Sequence, residues 1–308
     1  MFQFSFSIDE RIKIILLRFL CLFIPLSRWR KQFRKRFIKD KDIFKELLSF
    51  FPYPYYLSKQ YPFSALLPQK TLIIGSSHAM YGFIPDDDTI NLGMASQDLY
   101  YSWKLYEKYV LQMPSLTNIV LFYSVFSPGF QLDKSSEFSR CAAYRLYFDI
   151  DYLDLDKSII QKIEKVACKY HHEIAGNAPL STPKLKPSRI PNSLTQEIAE
   201  KHLKHNCRSM LQNAYVQKII TLAKEKKQRL FIVLSPARED YRRCLPDKSE
   251  LFKFIYQTAT DNPQIKLVDF YDDKSFINDD FSDNNHLFYS TGAKKLTDKL
   301  IAIIKEAA

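Results

Sequence analysis

Glycine is almost missing from this chain, with 6 in 308 residues. That excludes a glycine-rich, low-complexity architecture, and each remaining glycine is expected where the backbone needs one. Gly75, Gly82 and Gly93 make up half of the supply and fall within one short stretch. A cysteine pattern is missing too. Cys21, Cys141, Cys168, Cys207 and Cys244 are odd in number, with no CxxC pair and no metal-type spacing to a histidine. This argues against a disulfide framework or a zinc site and for a reducing compartment. No apolar run reaches the roughly 20 residues of a spanning helix. The nearest candidate, residues 8 to 24, is interrupted by Arg18 and stopped by Pro25. It is not built like a secretory signal, since Asp9 and Glu10 precede the apolar run and the arginines follow it. There is no internal repeat.

What is present is a chain able to bury a sizeable core: 46% hydrophobic residues, with Phe 24 and Tyr 19. The net charge of +11 is concentrated at the start, where the first 43 residues hold eleven Lys or Arg against four Asp or Glu. There Ile12, Ile15, Leu16, Phe19, Leu22 and Phe23 recur at helical spacing, and Ser7 with Glu10 fits a capping box. Trp29, Phe33 and Phe37 then stand at i, i+4 and i+8 among arginines and lysines. Residues 8–39 are therefore expected to touch a membrane surface or a lipid-linked substrate, each cation adding about 1 kcal/mol near anionic lipid. The alternative is a helix packed on the domain with a solvated basic face. No nucleic-acid module is recognisable, so no nucleic-acid partner is expected. The expected location is cytoplasmic, peripheral to the inner face of the cytoplasmic membrane.

From residue 70 the pattern changes to strand and helix in alternation. Short apolar strands are expected at 70–74, 89–92, 118–123, 229–234 and 265–270, with helical spacing over 97–113 and before the last two strands. Repeated strand-helix units predict a parallel sheet covered on both faces, with sites at the C-terminal strand ends. The expected organisation is an N-terminal part (1–69), an α/β domain (70–308) and a helical insertion over about 125–193 serving as lid or acceptor platform.

Ser77, in Gly75-Ser76-Ser77-His78 after the first strand, is the candidate nucleophile. A serine needs a base, and the base works best with a carboxylate fixing its tautomer. Asp283 and His286 supply both from one tight turn. The backbone N–H groups of Ser77 and Gly93 are candidate oxyanion donors. His78 is expected to pack or to bind substrate, Asn91 to lie near substrate, and Arg238, after the fourth strand, to hold an anion or to be a surface arginine. No residue set is expected to bind a metal, and the pairs His171/His172 and His202/His205 are expected at the surface.

These blocks resemble those of the SGNH (GDSL-type) hydrolase superfamily: Gly75-Ser76-Ser77 after a strand, Asn91-Leu92-Gly93, and Asp283-x-x-His286 followed by Leu287 and Gly292-Ala293. The resemblance covers about residues 70–125 and 225–308. It implies a flavodoxin-like three-layer α/β/α sandwich with a central parallel sheet, and esterase, lipase or O-acetyltransferase chemistry. Ser77, Asp283 and His286 would form the triad, and Gly93 would be an oxyanion donor. Two departures stand out. Ser76 replaces the usual Asp before the nucleophile. Ser124 stands where the third block carries an Asn, leaving a hydroxyl as the substitute oxyanion donor. The expected function is O-acetylation of a bacterial capsule- or lipopolysaccharide-type glycan through an acyl-Ser77 intermediate, with acetyl-CoA as donor and no tightly bound cofactor. Ester hydrolysis by the same residues and non-catalytic glycan binding are the alternatives.

Overall fold

The computed structural model describes residues 47–186, 192–206 and 211–307. The basic helices expected over residues 8–39 lie outside the described residues.

Five strands form one parallel sheet: β1 (Thr71–Ile74), β2 (Thr89–Asn91), β3 (Asn118–Tyr123), β4 (Arg229–Leu234) and β5 (Ile265–Asp269), in the order β2-β1-β3-β4-β5. Register aligns apolar residues in a row across the whole sheet, Ile90, Leu72, Ile119, Leu230 and Ile265. The next row, Ile73, Val120 and Phe231, points to the other face because side chains alternate along a strand. On the first face Leu72, Ile119 and Leu230 join a core with Leu105 and Tyr106 of the helix Leu99–Tyr109 and Ile219 of the helix Asn213–Glu225. On the second, Ile73, Val120 and Phe231 pack with Ala79 and with Leu296 and Leu300 of the helix Lys294–Glu306. Two apolar layers separated by a sheet define the three-layer α/β/α sandwich.

The strand order decides where a site forms. After β1 the chain builds β2 on one side, then crosses to place β3 on the other, so the β1/β3 boundary is a topological switch point. Ligands in open α/β sheets collect in the crevice at such a point, beyond the C-terminal strand ends. Ser77 follows β1 and Ser124 follows β3, both at that crevice.

The segment between β3 and β4 folds as helices against the first face. Cys141–Phe148, Lys157–Lys169, His171–Gly176 and Asn192–Asn206 all contribute buried residues to its core. The buried Asp133 fastens it: its carboxylate accepts from Tyr101 Oη at 2.7 Å, Cys141 Sγ at 2.9 Å and the amides of Leu153 and Asp154 at 2.9 and 2.8 Å. A buried carboxylate is tolerated only with such a set of donors. Leu47, Phe51, Tyr53 and Leu57, ahead of β1, enter the same core.

Candidate active site

Gly75 makes the turn from β1 to the nucleophile. Its φ is +142°, and a Cβ there would lie 2.8 Å from Phe122 Cβ and 2.9 Å from Phe122 O, so no other residue lets β1 pass β3 this closely. Ser76 is the extended N-cap, and its carbonyl accepts from the amides of Ala79 and Met80 at 3.0 and 3.1 Å. Ser77 opens the helix Ser77–Gly82, where no carbonyl one turn earlier can take its N–H.

The structure brings Ser77, His286 and Asp283 together across 209 residues of sequence. His286 Nε2 lies 2.8 Å from Ser77 Oγ, and His286 Nδ1 lies 2.8 Å from Asp283 Oδ2. A carboxylate only accepts, so Nδ1 carries the proton and Nε2 is left to accept from the Ser77 hydroxyl. The other carboxylate oxygen, Asp283 Oδ1, accepts from the amides of Asn285 and His286 at 2.9 and 2.7 Å, which closes the turn. Burial alone would raise the Asp283 carboxyl. The His286 ring and these two amides outweigh it and hold the group at about 2. Asp283 is therefore ionised at neutral pH, the state that stabilises an imidazolium.

The remaining sequence-nominated residues sit elsewhere than expected. Asn91 is buried, and both ends of its amide are in use. Nδ2 donates to the carbonyls of Ala79 and Phe83 at 2.8 and 2.9 Å, and Oδ1 accepts the Gly93 amide at 2.9 Å. Asn91 is thus a brace for the helix after the nucleophile and has no free group for substrate. The same bond engages the Gly93 N–H, which corrects its assignment as an oxyanion donor. Gly93 is there for contact: a Cβ would lie 2.6 Å from Ala79 Cβ and 2.7 Å from Met80 N.

Ser124 is also corrected as an oxyanion donor. Its buried Oγ lies 2.8 Å from His78 Nδ1 and 3.3 Å from Ser76 Oγ, so it is engaged by these two groups. His78 is buried rather than presented to substrate, and burial, with His286 and His202 nearby, holds its imidazole well below the usual range and neutral. Arg238 is locked on Asp240 through two bonds of 2.8 and 2.7 Å, so its guanidinium is already neutralised. Its amide, by contrast, donates to the Asn284 carbonyl in the triad turn at 3.1 Å. Beside that turn lies a cavity of about 270 Å³ lined by Arg238, Arg242, Lys274, Phe276 and Phe281 among others. Arg242 and Lys274 form no salt bridge among the described residues; Arg242 Nε donates to the Ala237 carbonyl at 2.9 Å.

Three residues near the site were missed in the sequence. Tyr81 meets His286 edge-on, with centroids 5.7 Å apart at 89°. Its position four residues after Ser77 on one helix was the available signal. His202, expected at the surface, is half-buried. Its Nδ1 is 2.7 Å from Tyr241 Oη and its ring packs on Phe126. Burial and the nearby His286 push it down to about 3. His205, in the same helix as His202, packs edge-on against Phe130. No local pattern marks these two, because the helix Asn192–Asn206 meets Phe126 and Tyr241 only in the folded chain. Among the described residues no group of three or more His, Cys, Asp or Glu is placed to hold a metal.

Fold and site together define the class: a three-layer α/β/α protein with a serine, histidine and aspartate in nucleophile, base and orienting positions. No protein-family model matches the chain, and no curated protein matches it. Among solved structures the chain is similar to a GDSL-like lipase from Bacteroides thetaiotaomicron, at 11% identity over 84% of this chain and 100% of that one, with a TM-score of 0.41. It is similar also to a candidate platelet activating factor from Streptococcus pneumonia, at 11% identity, covering 91% of this chain and 100% of that chain, TM-score 0.42. A third is a candidate acylhydrolase from Bacteroides fragilis, at 13% identity over 79% and 92%, TM-score 0.38.

Proposed function

We propose that this chain is a serine-dependent acyl-transfer enzyme of the SGNH (GDSL-type) kind, O-acetylating a sugar hydroxyl of a bacterial surface glycan. The 2.8 Å approach of His286 Nε2 to Ser77 Oγ carries the reading. In the first half-reaction Ser77 Oγ attacks the acyl carbonyl while its proton passes to His286 Nε2. The Ser77 N–H at the helix start faces the developing oxyanion, and the departing group takes the proton back from His286. In the second half-reaction the sugar hydroxyl gives its proton to Nε2 and attacks the acyl carbonyl, the acyl–Oγ bond breaks, Ser77 Oγ takes the proton back from Nε2, and the sugar ester leaves. Asp283 stays ionised throughout and stabilises the charged imidazole between steps.

The acyl donor in this reading is acetyl-CoA. Arg242 and Lys274, which line the cavity beside the triad turn and form no salt bridge among the described residues, suit an anionic donor or a phosphorylated, lipid-linked acceptor. The basic residues 8–39 would hold the protein to the cytoplasmic membrane face. The helix Asn192–Asn206, tied to the chain just after β3 by Asn206 Nδ2 donating to the Val125 carbonyl at 2.7 Å, would extend the acceptor platform expected over about 125–193.

With Gly93 and Ser124 both engaged, the oxyanion hole has fewer donors than three, and one missing donor costs about 3 kcal/mol. That observation gives weight to a second reading, glycan binding without turnover. A fluorophosphonate probe separates the two: labelling of the wild type and none of Ser77→Ala supports the enzyme, whereas an unlabelled wild type supports binding. Incubation with acetyl-CoA, with and without glycan acceptor, then decides between transfer and hydrolysis. Acetate release that does not depend on acceptor identifies an esterase.

A further inference from the structure

Beyond the triad, the geometry points to His78 as a positioning residue that holds the catalytic imidazole in register with Ser77. The inference rests on the acyl-transfer reading of the site. His78 is next to the nucleophile in sequence, yet its ring turns away from the reacting face. Its Nδ1 lies 2.8 Å from Ser124 Oγ and 3.2 Å from Ser76 Oγ, and those hydroxyls are 3.3 Å apart. One ring thus ties the residue before the nucleophile to the end of β3. The ring also bonds the backbone of Asn285 in the triad turn and stacks on the base itself: the His78 and His286 rings have centroids 5.1 Å apart and planes 26° from parallel. Phe126 lies on the far side of His78, at 6.0 Å between centroids.

The stack limits how His286 can tilt. Asp283 fixes the imidazole at one nitrogen, which leaves rotation about that bond free to move Nε2 away from Ser77. A ring beneath it and the edge of Tyr81 beside it, at 5.7 Å, block that rotation. The charges facing this stack come from two elements: His286 and Asp283 on the triad turn and His202 on the helix Asn192–Asn206. A second cation against the imidazolium formed in each half-reaction would repel it, so the support must be a neutral ring. Its hydrogen bonds to two hydroxyls supply one.

Ser76 and Ser124 gain a role from this arrangement. Both differ from the residues that the resembling family carries at those places, Asp and Asn. A carboxylate at Ser76 Oγ would draw a proton onto the His78 ring. Two hydroxyls accept or donate as the neutral ring requires.

The test uses the full chain and two readouts: the rate of fluorophosphonate labelling at Ser77, and kcat and KM for p-nitrophenyl acetate. A cavity of about 20 Å³ borders the ring, so truncation to alanine would enlarge a void, and His78→Leu is the better probe because it keeps much of the volume while removing the ring. His78→Leu is expected to lower labelling rate and kcat by roughly ten- to a hundredfold with KM nearly unchanged, as for a sub-ångström loss of register. His78→Phe, which restores a neutral ring against His286, is expected to recover part of the loss. Equal labelling of His78→Leu and wild type overturns the inference, and so does an equal defect in Leu and Phe. If His78→Leu does not fold, Ser124→Ala replaces it: a slower rate in folded protein supports the role, and an unchanged rate overturns it. An unlabelled wild type would instead sink the serine chemistry on which the inference stands.

Discussion

Two turns of this protein are built alike and end in different work. In Asp283–His286, Asp283 Oδ1 accepts the amides of Asn285 and His286 at 2.9 and 2.7 Å. In Asn91–Gly93, Asn91 Oδ1 accepts the Gly93 amide at 2.9 Å. Each side chain has one group left over. For Asp283 it is a second acceptor, Oδ2, which takes the His286 ring at 2.8 Å and makes the turn part of the chemistry. For Asn91 it is a donor, Nδ2, which ties down the carbonyls of Ala79 and Phe83 and makes the turn part of the scaffold. A polar residue in a motif is therefore assigned by what its turn leaves unused, not by its presence in the block.

Breaking the first turn should remove activity with little loss of fold. Asp283→Asn keeps a carbonyl oxygen for the two amides but presents the wrong partner to His286, and kcat should fall by about 10⁴-fold. Urea unfolding should then show a loss of only about 1 kcal/mol. A kcat within tenfold of wild type would remove Asp283 from the mechanism. Ser77→Ala and His286→Ala should each cost at least as much activity, and combining them should add little, because the residues act as a unit.

Breaking the second turn should do the reverse. Asn91→Asp preserves the turn acceptor but places a carboxylate oxygen against two carbonyls in a buried site. Chemical unfolding should show a loss of about 3 kcal/mol or more. The protein that remains folded should label with a fluorophosphonate near the wild-type rate. A labelling rate that drops with stability intact would restore Asn91 to the substrate site. Gly93→Ala, which puts a Cβ 2.6 Å from Ala79 Cβ, should cost about 1–3 kcal/mol by the same assay.

The smallest effect concerns the helix Asn192–Asn206. His202 has a folded pKa of about 3, below the 6.5 of an unfolded histidine. Between those values the unfolded chain binds the extra proton, so stability falls as pH drops from 6.5 towards 3 and is insensitive to this group above 6.5. His202→Asn can still accept from Tyr241 and should flatten that part of the melting-temperature profile without changing labelling at pH 7.5. Other groups titrate in the same window, so the wild-type-minus-variant difference is the quantity to follow. A difference constant with pH would show His202 to be solvated.

How much of this was legible from residues alone follows from range. The strands β3 and β4 were placed to the residue, because buried parallel strands appear as unbroken apolar runs. The triad was legible because its members are chemically restricted, and Asp283 and His286 are close enough to form one local turn. Asn91, Gly93, Ser124 and Arg238 were found as special but given the wrong work. Their partners, Ala79, Phe83, His78 and Asp240, compete for the groups that substrate would use. Sequence spacing does not show that competition. His202 was misread because a charged helix looks solvated until Phe126 and Tyr241 cover one side of it.

The sequence by itself determined a parallel α/β sheet, a serine after its first strand and a histidine-carboxylate turn after its last. Local patterns of hydrophobicity and turn chemistry suffice for each of these. Only the tertiary structure decided that Ser77 and His286 stand 2.8 Å apart. It also decided that the neighbouring polar groups brace the site and that the His78 ring lies beneath the base. The reason is physical: Ser77 and His286, and His78 and Ser124, are partners distant in sequence, and packing alone brings them together.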